Sequence, residues 1–178
     1  MDVNDLKGRV AEALVESIFR RAAYRVARVG RESQVHGLVK IGIGEFAPDF
    51  LVWKQIPEGK STHPLHRLFP IEVKYRSNLR KFVREEVEPL VAKVHDQWPE
   101  LHCIVVTDNP EGDRSCFQVF EFKKHTPGMV PLLVDLHELT DLDIFKTTVQ
   151  EYEGLVRDIF GLLNSYARDA TSPLTGSP

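Results

Sequence analysis

Cysteine is scarce in this sequence: Cys103 and Cys116 are the only two among 178 residues, and they form no CxxC pair. Neither a disulfide framework nor a thiolate zinc knuckle can be built from them, and reduced thiols in a cytoplasmic protein are expected. Long hydrophobic runs are also missing. No stretch reaches the ~20 apolar residues that a spanning helix needs, so no membrane association is expected. Met1-Asp2-Val3-Asn4-Asp5 is acidic and lacks the basic and apolar regions of a secretory signal. Nor is there an excess of positive charge: 23 Lys and Arg against 26 Asp and Glu give a formal net charge of -3. That balance argues against a domain that coats nucleic acid by charge alone. It leaves a nuclease open, because carboxylates that hold a metal lower the count while a local basic surface does the docking. Internal repeats, low-complexity blocks, a P-loop and a nucleophile elbow are all absent.

Hydrophobic residues at 42% and charged residues at 28% suffice for one ordinary folded domain, expected over residues 1–170 with a flexible polar tail at 171–178. Leu6, Val10, Ala13, Leu14, Ser17 and Ile18 recur at three- and four-residue steps, which predicts a helix from about Asp5 to Ala23, capped by Asn4 or Asp5. β-like segments follow at Tyr24–Val29, Val35–Ile43, Phe50–Trp53 and Phe69–Tyr75, with a loop at Pro57–Pro64. Val83, Val87, Leu90, Val91 and Val94 mark one face of a helix from Val83 to Gln97. Leu101–Thr107 is a nearly continuous apolar run, as expected of a strand covered on both faces. Phe117–Phe122 and Leu132–Leu136 are further strands. The order predicts an α/β architecture, a central mixed β-sheet flanked by α-helices.

The last helix is expected from about Asp141 to Arg168. Phe145, Val149, Tyr152, Val156, Ile159, Leu163 and Tyr166 follow a heptad-like spacing. Gly154 and Gly161 interrupt it, each at a cost of about 1 kcal/mol against Ala, which close approach of another backbone would offset. Two readings stand. The helix packs on its own sheet, or it also pairs with a second subunit to make a homodimer.

The residues that carry chemistry lie in Pro70-Ile71-Glu72-Val73-Lys74-Tyr75-Arg76. Strand alternation puts Ile71, Val73 and Tyr75 on one face and Glu72 with Lys74 on the other. A carboxylate and an ammonium held inside a sheet are costly unless they pair or bind a metal. In Ala47-Pro48-Asp49-Phe50-Leu51-Val52-Trp53, Asp49 sits where a turn becomes a strand. If that strand pairs with Ile71–Tyr75, Asp49 and Glu72 converge on one cation. Taken singly, Asp49 also suits a plain turn and Glu72 with Lys74 a plain ion pair.

Pro48-Asp49 followed by Glu72-Val73-Lys74 resembles the PD-(D/E)xK nuclease superfamily, the restriction-endonuclease-like fold. Gly8-Arg9-Val10-Ala11-Glu12 is similar to the first-helix glutamate motif of the Holliday-junction-resolvase-like branch. The resemblance covers roughly residues 5 to 107, and the 22 residues between Asp49 and Glu72 exceed a minimal hairpin. It implies a nuclease in which Asp49, Glu72, the Val73 carbonyl and Glu12, directly or through water, hold Mg²⁺ or Mn²⁺. Lys74 would orient the attacking water or stabilise phosphate charge. DNA is the implied partner. The runner-up is a non-catalytic module of the same fold, binding nucleic acid or serving as a dimeric scaffold.

Arg76, Arg80 and Lys81, in and after an expected loop Ser77–Arg80 beside the metal, are the candidate nucleic-acid contacts, with Arg25, Arg28 and Arg31 as a second basic group. Glu16 is assigned to Arg20. Gln97 is a minor candidate, for the glutamine that some branches carry in the helix after the motif. His63 and His66 lack the partners of a zinc site.

Overall fold

The computed structural model describes residues 2–29, 46–56, 65–94, 96–124 and 130–171. The strand expected at Val35–Ile43, the loop Pro57–Pro64, Arg31, His63 and the tail 172–178 lie outside them. Helix α1 spans Val3–Arg21, followed by β1 (Arg25–Arg28), β2 (Phe50–Ile56) and β3 (Leu65–Tyr75). Two short helices, α2 (Leu79–Glu85) and α3 (Val87–Val94), lead to β4 (His102–Val106), β5 (Phe117–Glu121) and β6 (Val134–Asp135). Helix α4 (Lys146–Thr171) closes the described chain.

The six strands form one mixed sheet in chain order, antiparallel throughout except for the parallel β3–β4 pair. Alternation along β3 divides the core in two. Ile71, Val73 and Tyr75 join Phe50, Val52, Ile104 and Val106 in a cluster with Leu14, Val15 and Ile18 of α1 and Val149, Val156 and Phe160 of α4. Cys103 and Val105, opposite Glu72 and Lys74, face Leu79, Phe82, Val87 and Val91 of α2 and α3. Helices thus cover both faces, as the sequence predicts.

Several expectations need correction. The N-cap of α1 is Asp2, whose side chain accepts from the Asn4 N–H at 3.3 Å; neither Asn4 nor Asp5 holds that place. The single helix expected over Val83–Gln97 is two, broken at Glu86. Pro89 is the reason: its ring clashes with the carbonyl four residues back, at Glu85, so the chain restarts with Pro89 in the first turn of α3. The Ser77–Arg80 segment is half helix, because Asn78 caps α2 by accepting from Lys81 N–H at 2.9 Å. The strand expected at Leu132–Leu136 is only two residues long and runs into a 3₁₀ turn. Helix α4 starts at Lys146 and takes in Thr171, which was expected in the tail.

The heptad stripe of α4 faces its own molecule over its central part: Val149 and Val156 are fully buried and Tyr152, Ile159 and Leu163 pack against the core. Phe145 and Tyr166 at the two ends are exposed, as are Leu155 and Leu162 on the outer side. A Cβ at Gly154 or Gly161 would meet nothing within 4 Å, so among the described residues no other element packs closely on either glycine.

Candidate metal centre

The end of β3 positions the candidate residues. β2 pairs with β3 as far as Phe50↔Ile71, while β3 continues to Tyr75 with β4 on its other side. Beyond Ile71, among the described residues, β3 has no neighbouring strand on the β2 side. Asp49, one residue before β2, fills that place: its Oδ2 accepts the Val73 N–H at 2.7 Å. The N–H and carbonyl of one strand residue point to the same edge, so the Val73 carbonyl is directed at the same opening.

Asp49 and Glu72 therefore stand together at this edge, with Lys74 donating to Glu72 Oε1. Glu72 is buried, and its Oε2 has no hydrogen-bond partner. Burial first and the Asp49 carboxylate second push the Glu72 carboxyl up to about 7, against the pull of Lys74. Burial likewise raises Asp49, although the Val73 N–H and the Lys74 charge oppose it. Lys74 is raised despite its own burial, because two carboxylates face it. One buried and one half-buried acid face a single ammonium at this edge.

Glu12 approaches from α1. Burial and then Asp49 raise its carboxyl, while Arg28, at 3.7 Å from Oε2, and Lys74 pull it down. Glu12, Asp49 and Glu72 do not all bring ligand atoms within 4.8 Å of one another; the described group of three that does is Asp135, His137 and Glu138. That second cluster was not expected from the sequence. Both Asp135 oxygens are already taken, by Arg114 at 2.7 Å and by the Ser115 N–H at 3.2 Å.

No family model matches this chain, and no curated protein or solved structure does.

A groove of about 670 Å³ opens beside the carboxylates, lined among others by Arg9, Glu12, Val73, Lys74, Arg76 and Lys81. Asp49 and Glu72 do not line it; they adjoin it through Val73 and Lys74. The expected nucleic-acid contacts are mostly occupied. Arg76 Nε donates to both Glu86 oxygens at 2.8 and 2.9 Å, Arg80 Nε donates to Glu111 at 2.5 Å, and Lys81 lies 3.9 Å from Glu85. In the second basic group, Arg28 is held by Glu16. Glu16 also takes Arg20, as expected. Arg9, passed over in the sequence reading as a contact, is exposed in the groove and makes no ion pair with any described residue. Its three-residue offset from Glu12 was the available signal. Gln97 is exposed in the turn after α3 and is no part of the groove, and His66 is exposed on the β2–β3 hairpin.

Proposed function

We propose that the chain is a Mg²⁺-dependent nuclease of the PD-(D/E)xK type, hydrolysing DNA phosphodiester bonds on a restriction-endonuclease-like fold. The observation that carries this reading is the buried, unpartnered Glu72 Oε2 beside the Asp49 carboxylate. A hard divalent cation satisfies that oxygen and relieves the repulsion between the buried Glu72 and half-buried Asp49 carboxylates. The donor set fits such an ion: Asp49 Oδ1, Glu72 Oε2 and the Val73 carbonyl are all oxygens, and Glu12 on the adjoining groove wall would serve directly or through water. The element order α1, β1–β3, α2–α3, β4 also follows the order that the resemblance implies.

When bound, the ion supplies Lewis acidity at the scissile phosphate and lowers the pKa of a water. The chain's own groups do the rest. Lys74, half-buried and held by Glu72, presents a fixed ammonium at the groove wall, where charge builds on the phosphate oxygens. Arg9 faces the groove and holds a flanking phosphate. The test is cleavage of linear duplex, single-stranded and branched DNA with Mg²⁺ or Mn²⁺. Metal-dependent cutting is expected, reduced roughly a hundredfold or more in Lys74→Ala and in Asp49→Asn. Cutting that survives both substitutions refutes the site.

The pairing of Arg76, Arg80 and Lys81 with acids favours a second reading, a non-catalytic module of the same fold serving as a dimeric scaffold. A wild-type chain that self-associates but neither cuts nor binds DNA would select it.

A further inference from the structure

A second polar group sits at the same end of the sheet, and the proposed chemistry does not use it. Lys7 of α1 is 3% exposed. Its Nζ donates to the Tyr75 hydroxyl at 2.7 Å and to Asp108 Oδ2 at 2.8 Å. The Tyr75 hydroxyl donates to Asp108 Oδ1 at 2.9 Å, and Asn164 Nδ2 of α4 donates to Asp108 Oδ2 at 3.2 Å. The ammonium also lies 4.7 Å from the centre of the Tyr75 ring and 5.3 Å from that of Phe160. Burial would raise the Asp108 carboxyl, but its three donors outweigh it and hold it below the ordinary carboxylate range. One lysine thus ties together α1, β3, the turn after β4 and α4.

Burying an ion pair is a poor way to gain stability: desolvation costs several kcal/mol per ion, and apolar residues of similar size usually serve as well. Its distinctive property is direction. Ala11 and Val15 of α1 share one apolar cluster with Ile71 and Val73 of β3, and apolar contact tolerates sliding. A hydrogen-bonded network does not. The location matters too. Tyr75 follows Lys74 on β3 with its side chain on the opposite face, and Glu12 lies five residues along α1 from Lys7. The network therefore touches none of the proposed ligands while holding the two segments that carry them.

We infer that Lys7, Tyr75, Asp108 and Asn164 form a positioning network that fixes α1 against β3 and so sets where Glu12 stands relative to Asp49 and Lys74. Its effect on metal binding rests on the nuclease reading; its geometry does not. Outer groups that orient metal ligands typically change affinity 10–100-fold.

The experiment is calorimetric titration of the full chain with Mg²⁺. Lys7→Met is expected to weaken binding about tenfold, and Asn164→Ala several-fold. Leu14→Ala, a core truncation in the same helix, serves as a control matched for lost stability and should leave affinity within about twofold. An unchanged affinity in Lys7→Met, or an equal loss in Leu14→Ala, overturns the positioning role. If the wild-type chain binds no Mg²⁺, the metal-site reading fails and hydrogen exchange judges the network. Amides of Gly8–Ala13 should then exchange about tenfold faster in Asn164→Ala. Unchanged exchange overturns the inference, and Asn164→Ala keeps the test open should Lys7→Met not fold.

Discussion

Glu72 titrates in a range where few carboxylates do, and the sign of the consequence can be worked out. Its carboxyl moves from 4.5 to about 7 in the folded chain, so folding favours the protonated form. The stability this gives is complete below pH 4.5 and is lost as pH rises through about 7. Glu72→Gln should remove that loss and stabilise the metal-free protein at pH 8 by on the order of 1–3 kcal/mol, with little effect at pH 4. Denaturant unfolding at the two pH values measures it. Mg²⁺ bound at Glu72 as proposed would displace the same proton, so affinity should rise as pH increases toward 8, visible as buffer-dependent heats in calorimetry. Asp49, Glu72 and Lys74 were legible from the sequence because a strand's two-residue period puts the last two on one face and a proline marks the turn before the first. Lys7 was not. It lies on the helical stripe that includes Ala11, Leu14 and Ile18, but a lysine near a helix start reads as a solvated charge until its acceptors, from positions 75 and 108, are brought to it.

Helix ends and glycines set the energetics of the individual elements. Helix α1 ends in a Schellman motif: Tyr24 N–H donates to the Phe19 carbonyl at 3.0 Å and Ala23 N–H to Arg20 at 3.1 Å, with the Phe19 and Tyr24 rings 5.3 Å apart. Ala23 occupies the left-handed position at φ 65°, where glycine is at ease. Ala23→Gly should stabilise the fold by about 1 kcal/mol in thermal or denaturant unfolding. In α4, the open space around Gly161 predicts that Gly161→Ala gains about 1 kcal/mol from helix propensity alone. Ultracentrifugation of the same variant tests the subunit-pairing alternative: a loss of self-association would show that another copy approaches there. Periodicity revealed the buried central face of α4 correctly. It also joined α2 and α3 into one helix, because apolar spacing runs smoothly through Glu86 and only the covalent ring of Pro89 interrupts it.

At the scale of the whole molecule, a chain of net charge -3 depends on where its cations face. With Arg76, Arg80 and Lys81 engaged by acids, Arg9 is a groove cation with no ion pair among the described residues, which suits it to the proposed phosphate contact. Arg9→Gln should weaken DNA binding several-fold and reduce the salt slope by about one, measured by fluorescence anisotropy across a salt series. Mg²⁺ affinity should stay within about twofold. The layered α/β plan was readable because each element carried its own period. The parallel pairing of β3 with β4 was not, since register comes from distant partners. Among the described residues, no strand lies against β3 on the β2 side over the four residues from Glu72 to Tyr75. Asp49 meets that edge with one oxygen on the Val73 N–H, and the other is the one proposed for the metal. Truncating it to alanine would therefore unbutton the sheet as well as disarm the centre. Asparagine, whose amide oxygen still accepts the Val73 N–H, isolates the loss of charge from the loss of the seam.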